Sequence, residues 1–270
     1  MSKDGIYVCA ELGVNWEGNK ELLFNWADRL LRQTVVDAVK VQVFNEDNIK
    51  DYPDGLRKTL TPMILDSEQV QKMNDLCMGY GKDLVVTPMN MECIDWLKDI
   101  PIGGLKVRAK DWWKGEYREL DSKFPCPMYV SVPHKDGQVD RTDIPEGLDI
   151  GKAFFSIRGN KRYRIYCVPL YPPSTTDLHL GLADEFDGCS IHSPHWWDHF
   201  SAAVINIWRQ WDKGTKRRFY VEAHCLPCFD WPLALDIDYA FLWPDYPVSI
   251  PIKDMLYLAR ACDAFEETIG

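Results

Sequence analysis

The chain has 270 residues, of which 46% are hydrophobic and 27% charged, enough apolar material to exclude a disordered polymer. Its formal net charge of -10 argues against nucleic acid as a main partner, since that binding leans on Lys and Arg neutralising phosphates. No apolar run approaches the ~20 residues that span a bilayer, and Ser2-Lys3-Asp4-Gly5 opens without a signal-peptide pattern. The expected compartment is therefore the cytoplasm, with no membrane partner and with the nine cysteines reduced.

In chain order, a nearly continuous apolar run predicts a first strand over 6–12. A helix follows over 20–33, with Leu22, Leu23, Trp26, Ala27, Leu30 and Leu31 on one side. A second strand is expected over 38–44, then a polar irregular stretch over 45–65 that contains Pro53, Gly55 and Pro62. Asp66 or Ser67 caps a helix over 67–80, with Gly79 and Gly81 at its exit. A strand over 83–89, a short helix over 91–97, and strands over 104–109 and 127–132 come next. The stretch 133–148 is charged and irregular. Strands over 164–170, 188–193 and 219–225 alternate with helices over 175–183 and 196–211, and a helix over 252–265 closes the chain.

Runs that are apolar on both faces suit a parallel sheet, and repeated strand–helix alternation implies right-handed βαβ units. Eight such units in about 250 residues predict a (β/α)8 TIM barrel as a single domain over 1–270. An open doubly wound sheet normally carries a Gly-rich phosphate loop after its first strand. Here that loop reads ELGVNWEGN, with no G-x-G-x-x-G.

Residues able to do chemistry collect at the strand ends, the catalytic face of such barrels. Glu11 ends the first strand, and Lys40 and Gln42 share a face of the second. Thr87 ends the third, Lys106 and Arg108 sit on the fourth, Ser131 ends the fifth, and Tyr171 follows the sixth. Ser190 and His192 share a face of the seventh, as Glu222 and His224 do on the eighth. A charge such as Lys40 inside AVKVQVF is costly to bury without a partner, so either an internal ion pair with Glu11 or a functional interior is implied. His192 and His224, one inward imidazole on each of two adjacent strands, are the metal candidates. His195 and His199 have an i,i+4 spacing without an H-E-x-x-H motif and read as surface or helix-start residues. Cys225 and Cys228 form a lone C-x-x-C and read as free thiols.

The run IYVCAELGVNWEGNKELLFNWADRLLRQTVVDAVKVQVF resembles the opening of sialic acid synthases, with their A-E-I-G-x-N-H-x-G segment, a helix and a V-K-x-Q strand. VVTPMN, GLKVRAKD, YCVPLYPPSTTDLHL, DGCSIHS, FYVEAHC and DIDYAF are similar to further family segments, so the likeness runs through nearly the whole chain. It implies a barrel that condenses phosphoenolpyruvate with an N-acyl amino sugar such as N-acetylmannosamine, or with another aldehyde acceptor. The products are a sialic-acid-type α-keto acid and phosphate. It also implies a divalent cation, manganese first and magnesium or cobalt as alternatives, on His192 and His224. Lys40, Thr87, Lys106 and Ser190 are implied to hold phosphoenolpyruvate. Glu11, Gln42, Tyr171, Glu222 and Asp238 are implied to face the sugar and the reacting centre, with a carboxylate such as Glu222 positioning or deprotonating water.

Departures from the family pattern leave a non-catalytic binding barrel as the alternative. Trp16 stands where the family has histidine, Ile191 where it has aspartate and Ala109 where it has serine. Arg108 has no counterpart and is expected to replace a phosphate contact. The family's C-terminal antifreeze-like domain, one source of contacts in a homodimer, has no counterpart in this sequence.

Overall fold

A computed structural model describes residues 5–33, 36–113, 117, 120, 124–140, 142, 162–214, 217–228 and 245–269. The first strand, β1 (Ile6–Glu11), is buried along its whole length. The helix α1 (Lys20–Arg32) starts where the Asn19 side chain accepts a hydrogen bond from the Leu22 amide at 3.0 Å. Its buried stripe is Leu23, Trp26, Ala27, Leu30 and Leu31, and Arg29 and Arg32 sit in its last turn, where cations favour the helix dipole. After β2 (Ala38–Val43) the stretch read as irregular holds two short helices, α2 (Glu46–Ile49) and α3 (Asp54–Leu60). Neither is long enough to show a 3.6-residue period. α2 instead depends on a reciprocal cap between Asn45 and Asn48.

Asp66 is the cap of α4 (Ser67–Gly79): its side chain accepts from the Gln69 amide at 2.8 Å, and Gln69 answers at 3.1 Å. Then follow β3 (Asp83–Pro88), α5 (Met91–Leu97), β4 (Gly104–Val107) and α6 (Ala109–Trp113). β4 ends at Val107, one residue short of Arg108. β5 (Met128–Lys135) runs past its expected end and turns back as a hairpin with β6 (Gln138–Val139). Asp136 and Gly137 take φ of 52° and 73° in that turn, a conformation the Asp-Gly pair favours.

The remaining strands are β7 (Arg162–Cys167), β8 (Gly188–Ser190), β9 (Phe219–Cys225) and β10 (Ser249–Ile250), with helices α7 (Trp196–Asp212) and α8 (Ile252–Ile269). The helix expected over 175–183 is instead two 3-10 turns, Thr175–Asp177 and Leu180–Glu185. Ser174 and Asp177 cap each other in a single turn there. Among the described residues no helix is long and apolar enough to cross a membrane. All nine cysteines are described, and none is in a disulfide.

Eight parallel strands, β1 to β5 and β7 to β9, pair in sequence, and β9 pairs back with β1, so the sheet closes into a (β/α)8 barrel. β10 adds a short parallel pairing with His224 and Cys225 at the end of β9. Between strands and helices lies a large apolar core. The inside of the barrel is filled separately, by Tyr7, Cys9, Ala38, Val85, Tyr129, Ile165 and Tyr220. Such interiors are usually branched aliphatic. Here the Tyr129 and Tyr220 rings stack at 4.1 Å, and the Arg218 guanidinium lies 4.2 Å over Tyr7. Each buried hydroxyl has a partner: Tyr7 donates to Asp83 at 2.6 Å, Tyr129 accepts from Arg218 at 3.0 Å, and Tyr220 donates to Glu222 at 2.7 Å. Gly104 makes room for the Tyr129 ring, and Gly188 lets β8 approach the backbone at Tyr220 closely. A Cβ on Gly104 would lie 2.8 Å from the Tyr129 ring, and one on Gly188 would lie 2.4 Å from the Tyr220 carbonyl oxygen.

Candidate active site

Strand register brings the site together. Glu11 on β1 is paired with Lys40 on β2 and with His224 on β9, and Ser190 on β8 is paired with Glu222 on β9. Tyr220, Glu222 and His224 alternate on β9, so all three point into the barrel.

Glu222 is the hub. The Lys106 ammonium donates to both of its oxygens at 3.0 Å, and Lys40 is 3.2 Å from Oε1. Ser190 donates to Oε1 at 2.9 Å and Tyr220 to Oε2 at 2.7 Å. Lys40 also pairs with Glu11 and donates to Thr87 at 3.2 Å. Burial alone would push the Glu222 carboxyl up, but Lys106, Lys40 and the Tyr220 hydroxyl together hold it well below the usual range. Glu11 differs. Burial, opposed by Lys40 and reinforced by the Glu222 charge, raises it to about 7. Burial also lowers the Lys40 ammonium, but Glu11 and Glu222 outweigh it and keep that group charged.

Beside the quartet of Lys40, Lys106, Glu11 and Glu222 stand two imidazoles, their ring centroids 5.2 Å apart. His192 Nδ1 donates to the Val168 carbonyl at 2.9 Å, which leaves Nε2 as the acceptor for the Tyr171 hydroxyl at 2.9 Å. Burial lowers His192 to about 4, partly offset by the Val168 bond. Burial, with His192 and Lys40 adding to it, takes His224 well below its usual value. Both rings are therefore neutral at pH 7. His192 has φ of 53°, a left-handed conformation that costs a non-glycine residue roughly 1–2 kcal/mol and that concentrates at functional sites.

Asp245, in the turn before β10, was not among the sequence candidates. Its Oδ2 lies 3.7 Å from His224 Nδ1, and neither of these buried atoms has a hydrogen-bond partner among the described residues. Burial raises Asp245 to about 6, against the Val14 amide and Lys40. Tyr220 was missed as well, although its place two residues before Glu222 put it on the same face.

The other expected residues divide. Tyr171 stacks on His192 at the mouth, with centroids 4.4 Å apart. Gln42 faces a side cavity. Ser131 is half-buried on β5 and makes no hydrogen bond into the cluster among the described contacts. Arg108, expected on the fourth strand as a phosphate contact, lies past the end of β4. It donates to Asp111 at 2.5 Å and to the Met89 carbonyl at 2.9 Å, so its partners are outside the lysine cluster. Asp238 falls outside the described residues. Trp16 and Ile191 are absorbed by the outer core, and the Trp16 indole donates to the Gly13 carbonyl at 3.1 Å. His195 is exposed and stacks on Trp197, as a helix-start residue can. His199, by contrast, is buried, with Nε2 3.0 Å from the Ser193 carbonyl, so it is not a surface residue and does not meet His195. Cys225 is buried with its thiol pushed up by burial.

Among the described residues no group of three or more His, Cys, Asp or Glu side chains is arranged to hold a metal. What the site offers is two neutral imidazoles, His192 with Nε2 on the Tyr171 hydroxyl and His224 with an orphaned Nδ1 facing the orphaned Asp245 oxygen. That donor set fits a divalent cation held by few protein ligands, the rest of its shell being water and substrate oxygen.

Fold and site together define a (β/α)8 barrel with an ionisable cluster at the C-terminal ends of its strands. The barrel is similar to that of N-acetylneuraminic acid (sialic acid) synthetase from Leptospira borgpetersenii serovar Hardjo-bovis, solved in complex with citrate. The TM-score is 0.71 at 16% identity, over 98% of this chain and 85% of that one. A putative spore coat polysaccharide biosynthesis protein E from Chromobacterium violaceum ATCC 12472 aligns at TM-score 0.70 and 19% identity, over 98% and 76%. Spore coat polysaccharide biosynthesis protein SpsE from Bacillus subtilis aligns at 0.69 and 19%, over 98% and 69%. At these identities the likeness is one of fold. No protein-family model matches the sequence, and no curated protein matches it either.

Proposed function

We propose that this protein is a metal-dependent synthase that condenses phosphoenolpyruvate with an N-acyl amino sugar of the N-acetylmannosamine kind, giving a sialic-acid-type α-keto acid and phosphate. The observation that carries this reading is the quartet of Lys40, Lys106, Glu11 and Glu222, buried beside two neutral histidines. The likeness of fold to a sialic acid synthetase supports it.

Lys40, Lys106, Thr87 and Ser190 are the partners for the phosphate and carboxylate of phosphoenolpyruvate. Glu222 stays ionised and orients both ammonium groups. Glu11, near 7, is the group able to exchange a proton at neutral pH, which moves the acid–base role from Glu222 to Glu11. His192 and His224 would hold the cation, manganese first and magnesium or cobalt as alternatives. When bound, it supplies Lewis-acid polarisation of the acceptor aldehyde. In the reaction, carbon 3 of the enol forms the new C–C bond and the aldehyde oxygen takes a proton. Water adds to carbon 2 and gives up one proton, which balances that taken by the aldehyde oxygen. As the C–O bond to phosphate breaks, the carbon 2 hydroxyl passes its proton to the departing phosphate and leaves the keto group.

The test is phosphate release and α-keto acid formation with phosphoenolpyruvate, manganese and N-acetylated or other acceptor aldehydes. Equimolar release that needs both substrates is expected. Release that ignores the acceptor, or none with any acceptor, overturns the reading.

A further inference from the structure

Next to the quartet, at the mouth of the barrel, a cavity of about 480 Å³ opens toward α2 and α3. That size lies within the range of small-molecule sites. It meets the site at Asp245, which lines it together with Gln42. Its far wall is apolar: Phe44, Ile49, Leu56, Leu60 and Met89. Asp47, Tyr52 and Lys110 stand at its exposed rim, and the polar side chains deeper along that wall, Asn48 and Arg108, are engaged with protein. Asn48 donates to the Met89 carbonyl at 3.2 Å, and its oxygen accepts from the Asn45 amide and the Asn90 side chain at 3.1 and 2.8 Å. Arg108 is held by Asp111 and the Met89 carbonyl. The wall therefore presents carbon surface to an occupant, beyond a site that handles ionic and hydroxylated groups.

Resting on the synthase reading, we infer that the acceptor carries an apolar acyl substituent longer than acetyl, seated on the wall that α2 and α3 build. A single methyl covers little of five apolar side chains. Each further buried methylene tightens binding by roughly fourfold, the equivalent of ~0.8 kcal/mol.

The experiment is calorimetric titration of the full-length protein, with manganese present, by N-acetyl-, N-butanoyl- and N-hexanoylmannosamine. Phosphate release is measured separately with the same compounds. Kd is expected to fall about tenfold or more from acetyl to butanoyl. In Leu56→Asn, a substitution on a partly exposed side chain, that gain shrinks to a few-fold or less. A Kd that is flat or rises with acyl length overturns the inference, as does failure of all three compounds to bind. Phosphate release judges the synthase reading on its own. Tighter binding with length but no release would sink that reading and leave the acyl wall standing.

Discussion

Lys106 and Glu222, separated by 116 residues, meet inside the barrel with the ammonium 3.0 Å from each carboxylate oxygen. Both side chains are nearly inaccessible to solvent, so neither charge has water to fall back on. Lys106→Ala leaves Glu222 with Lys40, Ser190 and Tyr220 but one cation short. The expected loss is about 3 kcal/mol of stability, as for other broken buried pairs. Phosphoenolpyruvate binding should weaken far more than sugar binding. Chemical denaturation and calorimetry of both ligands check this, and equal effects on the two ligands would contradict the assigned role.

His192→Ala and His224→Ala should each abolish bound manganese, read by metal analysis, while far-ultraviolet circular dichroism keeps the barrel signature. His192→Gly separates ligand from backbone. Glycine accepts φ of 53° without a Cβ penalty, so this variant should melt no lower than His192→Ala and still bind no metal. Unchanged metal stoichiometry in these variants would remove the site.

Within the quartet, ionised Glu11 and Glu222 balance the two lysines, so an incoming anion meets no net positive charge, and Asp245 adds a further negative charge above about pH 6. Protonated Glu11 leaves one unit positive. Anion binding therefore favours the protonated form and raises its pKa further. Below about pH 7 Glu11 already carries the proton, and protonation of Asp245 near pH 6 adds a smaller further gain. Above about pH 7, proton uptake accompanies binding, and affinity falls by up to about tenfold per pH unit. Phosphoenolpyruvate titrations between pH 6 and 9, in buffers of different ionisation enthalpy, read the uptake directly. Glu11→Gln should flatten the part of the profile above pH 7. An identical profile in that variant would assign the proton elsewhere.

Gly188→Ala puts a methyl group against the Tyr220 carbonyl oxygen and Cβ, at 2.4 and 2.7 Å. Backbone cannot yield cheaply there, so a loss of ~1–3 kcal/mol or more is expected in urea denaturation. Gly55→Ala, with nothing within 4 Å of its Cβ position and a place in α3, is the control and should not destabilise, gaining up to about 1 kcal/mol.

The barrel was legible because its strands are apolar on both faces, and the alternation of Tyr220, Glu222 and His224 is visible in FYVEAHC itself. Glu11, Lys40, Lys106, Ser190, His192 and His224 were placed at strand ends from sequence, and the structure gathers them. The pairing of Lys106 with Glu222 was not legible, because register between strands that are distant in the chain leaves no local trace. Asp245 escaped because it belongs to no long strand and reaches His224 through a turn. The Asp136–Gly137 hairpin carried its usual signal but sat inside a stretch dismissed as irregular. α2 was hidden by its length, and only its Asn45–Asn48 cap could have revealed it.

The stacked tyrosines below the quartet, locked by Arg218 and fitted against Gly104 and Gly188, make the barrel a blind well rather than a conduit. Among the described residues these rings close the floor below Glu222, so access to Glu222 is from the C-terminal ends of the strands. On the proposed reaction, the reactant bound deeper would have to enter first, and phosphate released below the acceptor would leave after it. On that reading, ordered entry and ordered exit would follow from the floor of this barrel.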